Sequence, residues 1–138
     1  MAEGRLSEYR LHRRVNFYET DCAGIVHFSW FFKYMEEAEH ALWRASGLSI
    51  HPPGSDFGWP RVAASFEFHR PLRFEDEFEV VLHVAEMTKK SIRYECRLEK
   101  GGEKMATGTM TILCVRKRPT MQAAEIPEDV AARLMADR

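Results

Sequence analysis

Apolar residues recur at spacings of four and three from about Phe31 to Ser46, placing Phe31, Met35, Ala38, Leu42 and Ala45 on one face of a helix. Lys33, Glu36, Glu37, His40 and Arg44 fall on the other face. About sixteen residues at 1.5 Å rise make a rod of roughly 24 Å, long enough to cross a small domain. Ser29 is placed as the N-cap, and Gly47 as the left-handed C-terminal cap with Leu48 packing back behind it. Elsewhere the period is two. Tyr9, Leu11, Arg13 and Val15 alternate with polar neighbours as a first strand, and Val62, Ala64, Phe66 and Phe68 form one side of a half-buried second. Phe78, Val80, Leu82 and Val84 mark a third strand, and Ile92, Tyr94, Cys96 and Leu98 a fourth. A last strand runs from about Lys104 to Lys117.

The connections are equally legible. Leu48 to Pro60 collects prolines and glycines and reads as a loop, and Met87 to Lys90 as a turn. Gly101 and Gly102 close a hairpin, because glycine enters the positive-φ region without steric cost. Pro127, at the first position of a short helix, precedes Glu128 and Asp129 in its first turn. Four consecutive strands on short links make an antiparallel sheet whose apolar face needs a cover, and the helix at 31–46 is the one long enough to supply it. The expected architecture is therefore α+β: a hotdog fold, a five-stranded antiparallel sheet wrapped around one long central helix, in a single domain over residues 1–138. Such a sheet leaves open edges, which pairing into a homodimer or homotetramer would cover.

Composition narrows the function. A formal net charge of −1 gives no global attraction to nucleic acid or an anionic membrane. The start MAEGRLSEYRLHRR lacks an apolar leader core, and no run approaches the length of a membrane span, so a cytoplasmic setting is the expectation. Three cysteines, Cys22, Cys96 and Cys114, form no close pair, and the six histidines show no metal-ligand spacing, so no metal is expected.

Before the long helix stands the stretch Glu19, Thr20, Asp21, Cys22, Ala23, Gly24, Ile25, Val26, then His27 and Phe28. This stretch, with Phe31 and Glu36 on the helix, the segment RVAASFEFHRPLRFEDE and the exit VRKRP followed by IPE, resembles the 4-hydroxybenzoyl-CoA thioesterase-like group of hotdog acyl-CoA thioesterases. The resemblance covers most of the chain in order. It implies hydrolysis of an acyl- or aryl-CoA thioester to the acid and coenzyme A, with Asp21 as nucleophile or general base and no cofactor beyond the coenzyme A of the substrate. It also implies that the backbone N–H of Phe28 is the oxyanion donor, near the positive end of the helix dipole. Two positions depart from the group: His27 precedes the aromatic Phe28 rather than following it, and Glu39 stands where many members have arginine. Both bear on substrate identity.

Each residue also has a plainer reading. Asp21 could simply cap a turn. Cys22 lacks a histidine placed to activate it and reads as filler. Gly24, Ile25, His27, Trp30, Phe31 and Glu39 are candidates for the substrate pocket, although His27 could equally be a packed neutral side chain, and aromatics on a buried helix are more often core. A carboxylate such as Glu39 on the border of the apolar face needs solvent or a partner. Coenzyme A phosphates call for cations, and Arg70, Arg73, Lys89, Lys90 with Ser91, Arg116, Lys117 and Arg118 are the candidates. The competing functions are a hotdog module that binds acyl thioesters without turnover and, less favoured, a hotdog dehydratase, whose HFPG-like loop His27 and Phe28 echo before Ser29 and Trp30 break the pattern.

Overall fold

The computed structural model describes residues 8–135. In chain order its strands are β1 (Glu8–Arg14), β2 (Phe57–Gly58), β3 (Arg61–Phe68), β4 (Glu77–Met87), β5 (Ser91–Lys100), β6 (Glu103–Leu113), β7 (Val115–Arg116) and β8 (Gln122–Ala123). The long helix α1 spans Ser29–Ala45 and a short α2 spans Glu128–Leu134. Five strands build an antiparallel sheet in the order β1-β4-β5-β6-β3, and β2-β7-β8 form a second, small sheet. The period-two pattern explains the large sheet, since Tyr9, Leu11 and Arg13 pair with Leu82, Val80 and Phe78, all facing α1. Tyr34, Met35, Ala38, Leu42 and Trp43 of the helix are fully buried with Val80, Leu82, Tyr94, Leu98 and Ile112 of the sheet. The Trp43 indole N–H donates to the Tyr94 hydroxyl at 2.9 Å, which satisfies the one polar group of that buried ring. This is the hotdog arrangement that the pattern predicts.

Gly47 takes φ +78° and receives a Schellman closure, with Gly47 N–H to Arg44 O at 3.0 Å and Leu48 N–H to Trp43 O at 2.8 Å. Gly101 and Gly102 both have positive φ and join β5 to β6. Ser29, expected as N-cap, is instead the first helical residue, and Phe28 is the N-cap. The Ser29 hydroxyl turns back to His27 Nδ1 at 2.9 Å rather than to a helical N–H. Pro127 is likewise the N-cap of α2 and not its first turn. Ala45, expected on the apolar face, is exposed, while Leu42, Trp43 and Ser46 around it are buried. The last strand does not run unbroken to Lys117: at Cys114 the chain leaves the large sheet, and β7 pairs with β2, inside the segment expected to be a loop.

Strand β3 departs most from expectation. It is an outer strand of the large sheet, and Val62, Ala64 and Phe68 are exposed rather than half-buried. A bulge between Arg61 and Ala63 shifts the register, so Arg61 lies opposite the buried Ile112 while Val62 is turned out. Farther along, Phe66 lies opposite Gly108, where an added Cβ would come within 2.7 Å of the Ser65 carbonyl and 2.8 Å of the Phe66 ring. Glycine at 108 lets the Phe66 ring lie flat across the sheet and meet Phe31 and Phe32 of α1 edge-on.

Candidate active site

The loop before α1 closes as a miniature hairpin. Thr20 and Val26 form a bridge, Asp21 N–H donates to Ile25 O at 2.9 Å, and His27 N–H donates to Glu19 O at 2.9 Å. Gly24 makes the reversal possible with φ +79°, returning its N–H to Asp21 O at 2.9 Å. The hairpin is stapled to the link after β3 by Val26 N–H to Leu72 O at 2.8 Å and by a bridge between Ile25 and Arg73. Between the two segments opens a groove of about 470 Å³ lined by Asp21, Ile25, Val26, Phe28 and Phe31 on one side and residues 68–72 on the other. Its walls are mainly apolar, and Asp21 is the one carboxylate among them.

Both readings of Asp21 have a place here. Oδ1 accepts the Ala23 N–H at 2.9 Å, so the carboxylate does cap its turn. The side chain nevertheless stays half-buried at the groove wall, and among the described residues Oδ2 accepts no hydrogen bond. At the start of α1, Trp30 N–H goes to His27 O at 3.0 Å and Ser29 N–H to His27 Nδ1 at 3.3 Å. Among the described residues the Phe28 N–H has no acceptor. A free donor at a helix N-terminus, beside a carboxylate in an apolar groove, can stabilise a developing oxyanion while the carboxylate attacks or activates water.

Other expected pocket residues are distributed differently. Ile25 and Phe31 line the groove, and Gly24 shapes its turn without lining it. His27 is exposed, with its ring against Phe28 at 4.7 Å and Nδ1 engaged by Ser29. Trp30 packs against Tyr18 and Tyr34. Glu39 does not line this groove: it is fully buried, with Oε1 held by Arg61 of β3. Its Oε2 meets no partner in hydrogen-bond geometry, although the Tyr94 hydroxyl lies close enough to favour the charged form. Burial pushes the Glu39 carboxyl above the ordinary carboxylate range, with Arg61 opposing. The helix sequence alone could not supply the bulge that delivers Arg61.

The cations also divide. Arg70 lines the groove but pairs with Glu103 at 3.2 Å. Arg73 sits in the stapled link, where its N–H donates to Asp76. Lys89 and Lys90 precede Ser91 at the β4–β5 turn, and the Ser91 hydroxyl meets that of Thr88 at 2.6 Å. Arg116 and Arg118 share Asp56, which they hold below the usual carboxylate range, and Arg116 also covers the Phe57 ring. Lys117 joins the same corner through its N–H to Asp56 O. Residues 116–118 follow the Leu113 end of β6, whereas the groove lies at its Ala106 end, beside Phe68. Seven residues of strand from Ala106 to Leu113, at about 3.4 Å each, separate these ends by roughly 24 Å, so the triplet lies toward the far end of β6 from the groove of the same chain.

Phe68, His69, Pro71 and Leu72 are groove residues that pattern reasoning missed. His69 Nε2 meets the Thr107 hydroxyl at 3.1 Å. The proline inside HRPLRFEDE marked the segment as a connection, and only the Ile25–Arg73 bridge shows that the connection is a wall. Among the described residues no cluster of His, Cys, Asp and Glu could hold a metal ion, and no helix is long and apolar enough to cross a membrane.

An antiparallel sheet wrapped on one long helix is the hotdog fold of thioester hydrolases. The chain belongs to the thioesterase-like superfamily, whose sequence profile matches residues 15–134. It is 29% identical over 126 residues to a 1,4-dihydroxy-2-naphthoyl-CoA hydrolase of Synechococcus elongatus, covering 89% of this chain and 92% of that one. Its fold superimposes on a gentisyl-coenzyme A thioesterase with a TM-score of 0.79 at 29% identity, covering 91% and 98% of the two chains. A 1,4-dihydroxy-2-naphthoyl-CoA thioesterase from Synechocystis shares the fold with a TM-score of 0.87 at 22% identity, over 92% and 95%.

Proposed function

We propose that this protein hydrolyses the CoA thioester of a hydroxylated aromatic acid, with Asp21 as nucleophile or general base and the Phe28 N–H as oxyanion donor. The observation that carries the reading is the pairing of a half-free Asp21 carboxylate with an unengaged helix-start N–H at one groove walled by Phe28, Phe31 and Phe68. Aromatic walls favour a flat ring through offset and edge contacts. The two relatives at 29% identity are named for dihydroxyaryl-CoA substrates, which supports the same class. The reaction needs no cofactor, since coenzyme A leaves as a thiolate. A panel of CoA thioesters, read by trapping free thiol with a disulfide dye, tests this. Hydroxyaryl-CoA members should be turned over fastest; preference for long aliphatic chains would overturn the substrate class, and release from none would overturn the activity.

The protein acts as a dimer or tetramer in this reading, and β3 is the edge that pairs. Its exposed Val62, Ala64 and Phe68 leave an eight-residue strand uncovered in one chain. Antiparallel pairing across a two-fold axis sets the Arg61 end of one β3 beside the Phe68 end of its mate. That brings the corner bearing Arg116, Lys117 and Arg118 of one protomer toward the other protomer's groove, where coenzyme A phosphates would extend. Light scattering at micromolar concentration should give at least twice the 16.1 kDa chain mass; a monomer with full activity would refute the assembly.

A further inference from the structure

Behind the Asp21 hairpin lies a buried polar cluster that the reaction as described does not use. Glu19 is fully buried, yet every face of its carboxylate is engaged. Oε2 pairs with Arg13 Nη2 at 2.6 Å, while Oε1 accepts from Arg13 Nη1 at 2.9 Å, the Asn16 N–H at 2.9 Å and the Tyr34 hydroxyl at 2.8 Å. Arg13 comes from β1, lies over the Tyr34 ring at 4.5 Å, and reaches Glu37 on α1 with Nε at 2.7 Å. The cluster therefore ties the first strand, the 3-10 turn at Phe17–Glu19 and the long helix to one carboxylate. Burial alone would raise the Glu19 pKa; Arg13, the Asn16 N–H and Tyr34 together outweigh it and bring the group below the ordinary range, so it stays charged.

The backbone of the same residue closes the hairpin. Glu19 O receives the His27 N–H, and the next residue after each strand of that closure leads to one half of the site. On one strand Thr20 leads to Asp21, and on the other His27 is followed by Phe28. Tyr34 stands on the helix whose N-cap is Phe28. Glu19 thus sits where a shift would change the distance between the carboxylate and the oxyanion donor.

Resting on the function proposed above, we infer that Glu19 is a positioning residue, a buried anion whose Arg13 and Tyr34 contacts fix Asp21 and the Phe28 N–H relative to each other. Misplacement by about 1 Å at a reacting centre can cost on the order of 10²-fold in rate. Glu19→Gln keeps the shape but removes the buried charge, leaving Arg13 paired with the half-exposed Glu37 alone. With the panel's fastest CoA thioester, at a temperature where circular dichroism shows the variant folded, kcat should fall about 10²-fold while KM stays within about threefold.

A double-mutant cycle separates this from simple loss of folded enzyme. If Glu19 acts through Asp21, adding Glu19→Gln to Asp21→Asn should lower the residual single-turnover rate by less than about threefold; a full further 10²-fold drop overturns the inference. Should Glu19→Gln not fold, Tyr34→Phe removes one contact to Glu19, keeps the ring packed on Phe78, and enters the same cycle. Retention of kcat within about threefold by either folded single variant also overturns it. Loss of rate in Asp21→Asn with additive Glu19→Gln sinks only this inference, whereas an unchanged kcat in Asp21→Asn sinks the functional reading and this one together.

Discussion

Asp21→Asn should lower kcat by at least about 10² to 10⁴, the range that general-base help alone supplies. The amide oxygen can still accept the Ala23 N–H, so the turn that Oδ1 caps is preserved, and a weakened cap costs no more than about 1 kcal/mol. What disappears is the second oxygen, the one free to attack or to take a proton. KM should barely move, because the groove walls are supplied by Ile25, Phe28, Phe31 and residues 68–72. Stopped-flow thiol release together with a thermal melt decides the matter. A variant that melts several degrees lower but keeps kcat within about threefold would make Asp21 a structural cap and nothing more.

Arg61→Ala should be strongly destabilising for a change outside the apolar core. Glu39 is fully buried, and Arg61 supplies the cation held against its Oε1; His40 Nε2 stands at 3.9 Å, and Glu36 adds a like charge nearby. Breaking a buried pair by removing one partner costs about 3 to 5 kcal/mol, and the partial exposure of Arg61 places the expected loss near about 3 kcal/mol at pH 8. The pH dependence follows from the direction of the Glu39 shift. Its folded pKa is raised, so the native state binds the proton more tightly than the unfolded chain, and stability falls as pH rises from the ordinary value of 4.5 through the folded value. Removing Arg61 removes an opposing influence and extends that window upward. Urea unfolding should therefore show a larger deficit at pH 8 than at pH 5, and Glu39→Leu added to Arg61→Leu should restore most of the loss. A deficit that is equal at both pH values, or below about 1 kcal/mol at pH 8, would show that Glu39 is solvated after all.

The two experiments probe different points along α1. Asp21 is presented at its N-terminus by a hairpin of seven residues, and Glu39 locks the middle of the helix to the start of β3. Catalytic loss without destabilisation at the first site, and destabilisation at the second, would separate the reacting end of the helix from its anchoring.

Local pattern determined most of the scaffold. The four-and-three spacing specified α1 because a helix repeats every 3.6 residues, and alternation specified the strands of the large sheet because strand side chains repeat every two. Gly47, Gly101 and Gly102 were readable because their positive φ is a local requirement. The Asp21 loop was readable as a motif, since the turn from Asp21 to Gly24 closes within four residues. Even the buried cluster left a trace: alternation placed Arg13 on the apolar face of β1, and an inward guanidinium calls for a buried acid.

Only the tertiary structure decided which acid that is, because Glu19 meets Arg13 through a 3-10 turn whose direction no periodicity encodes. It likewise decided that Glu39 faces Arg61, since a one-residue bulge reversed the strand's facing just where alternation placed Val62 inside. The groove wall at residues 68–72, and the placement of Arg116, Lys117 and Arg118 toward the other end of β6, are products of strand order and register. Periodicity fixes which face a residue occupies within its own element. Which residues of different elements meet depends on register, bulges and strand order, and those are set by contacts between segments distant in sequence.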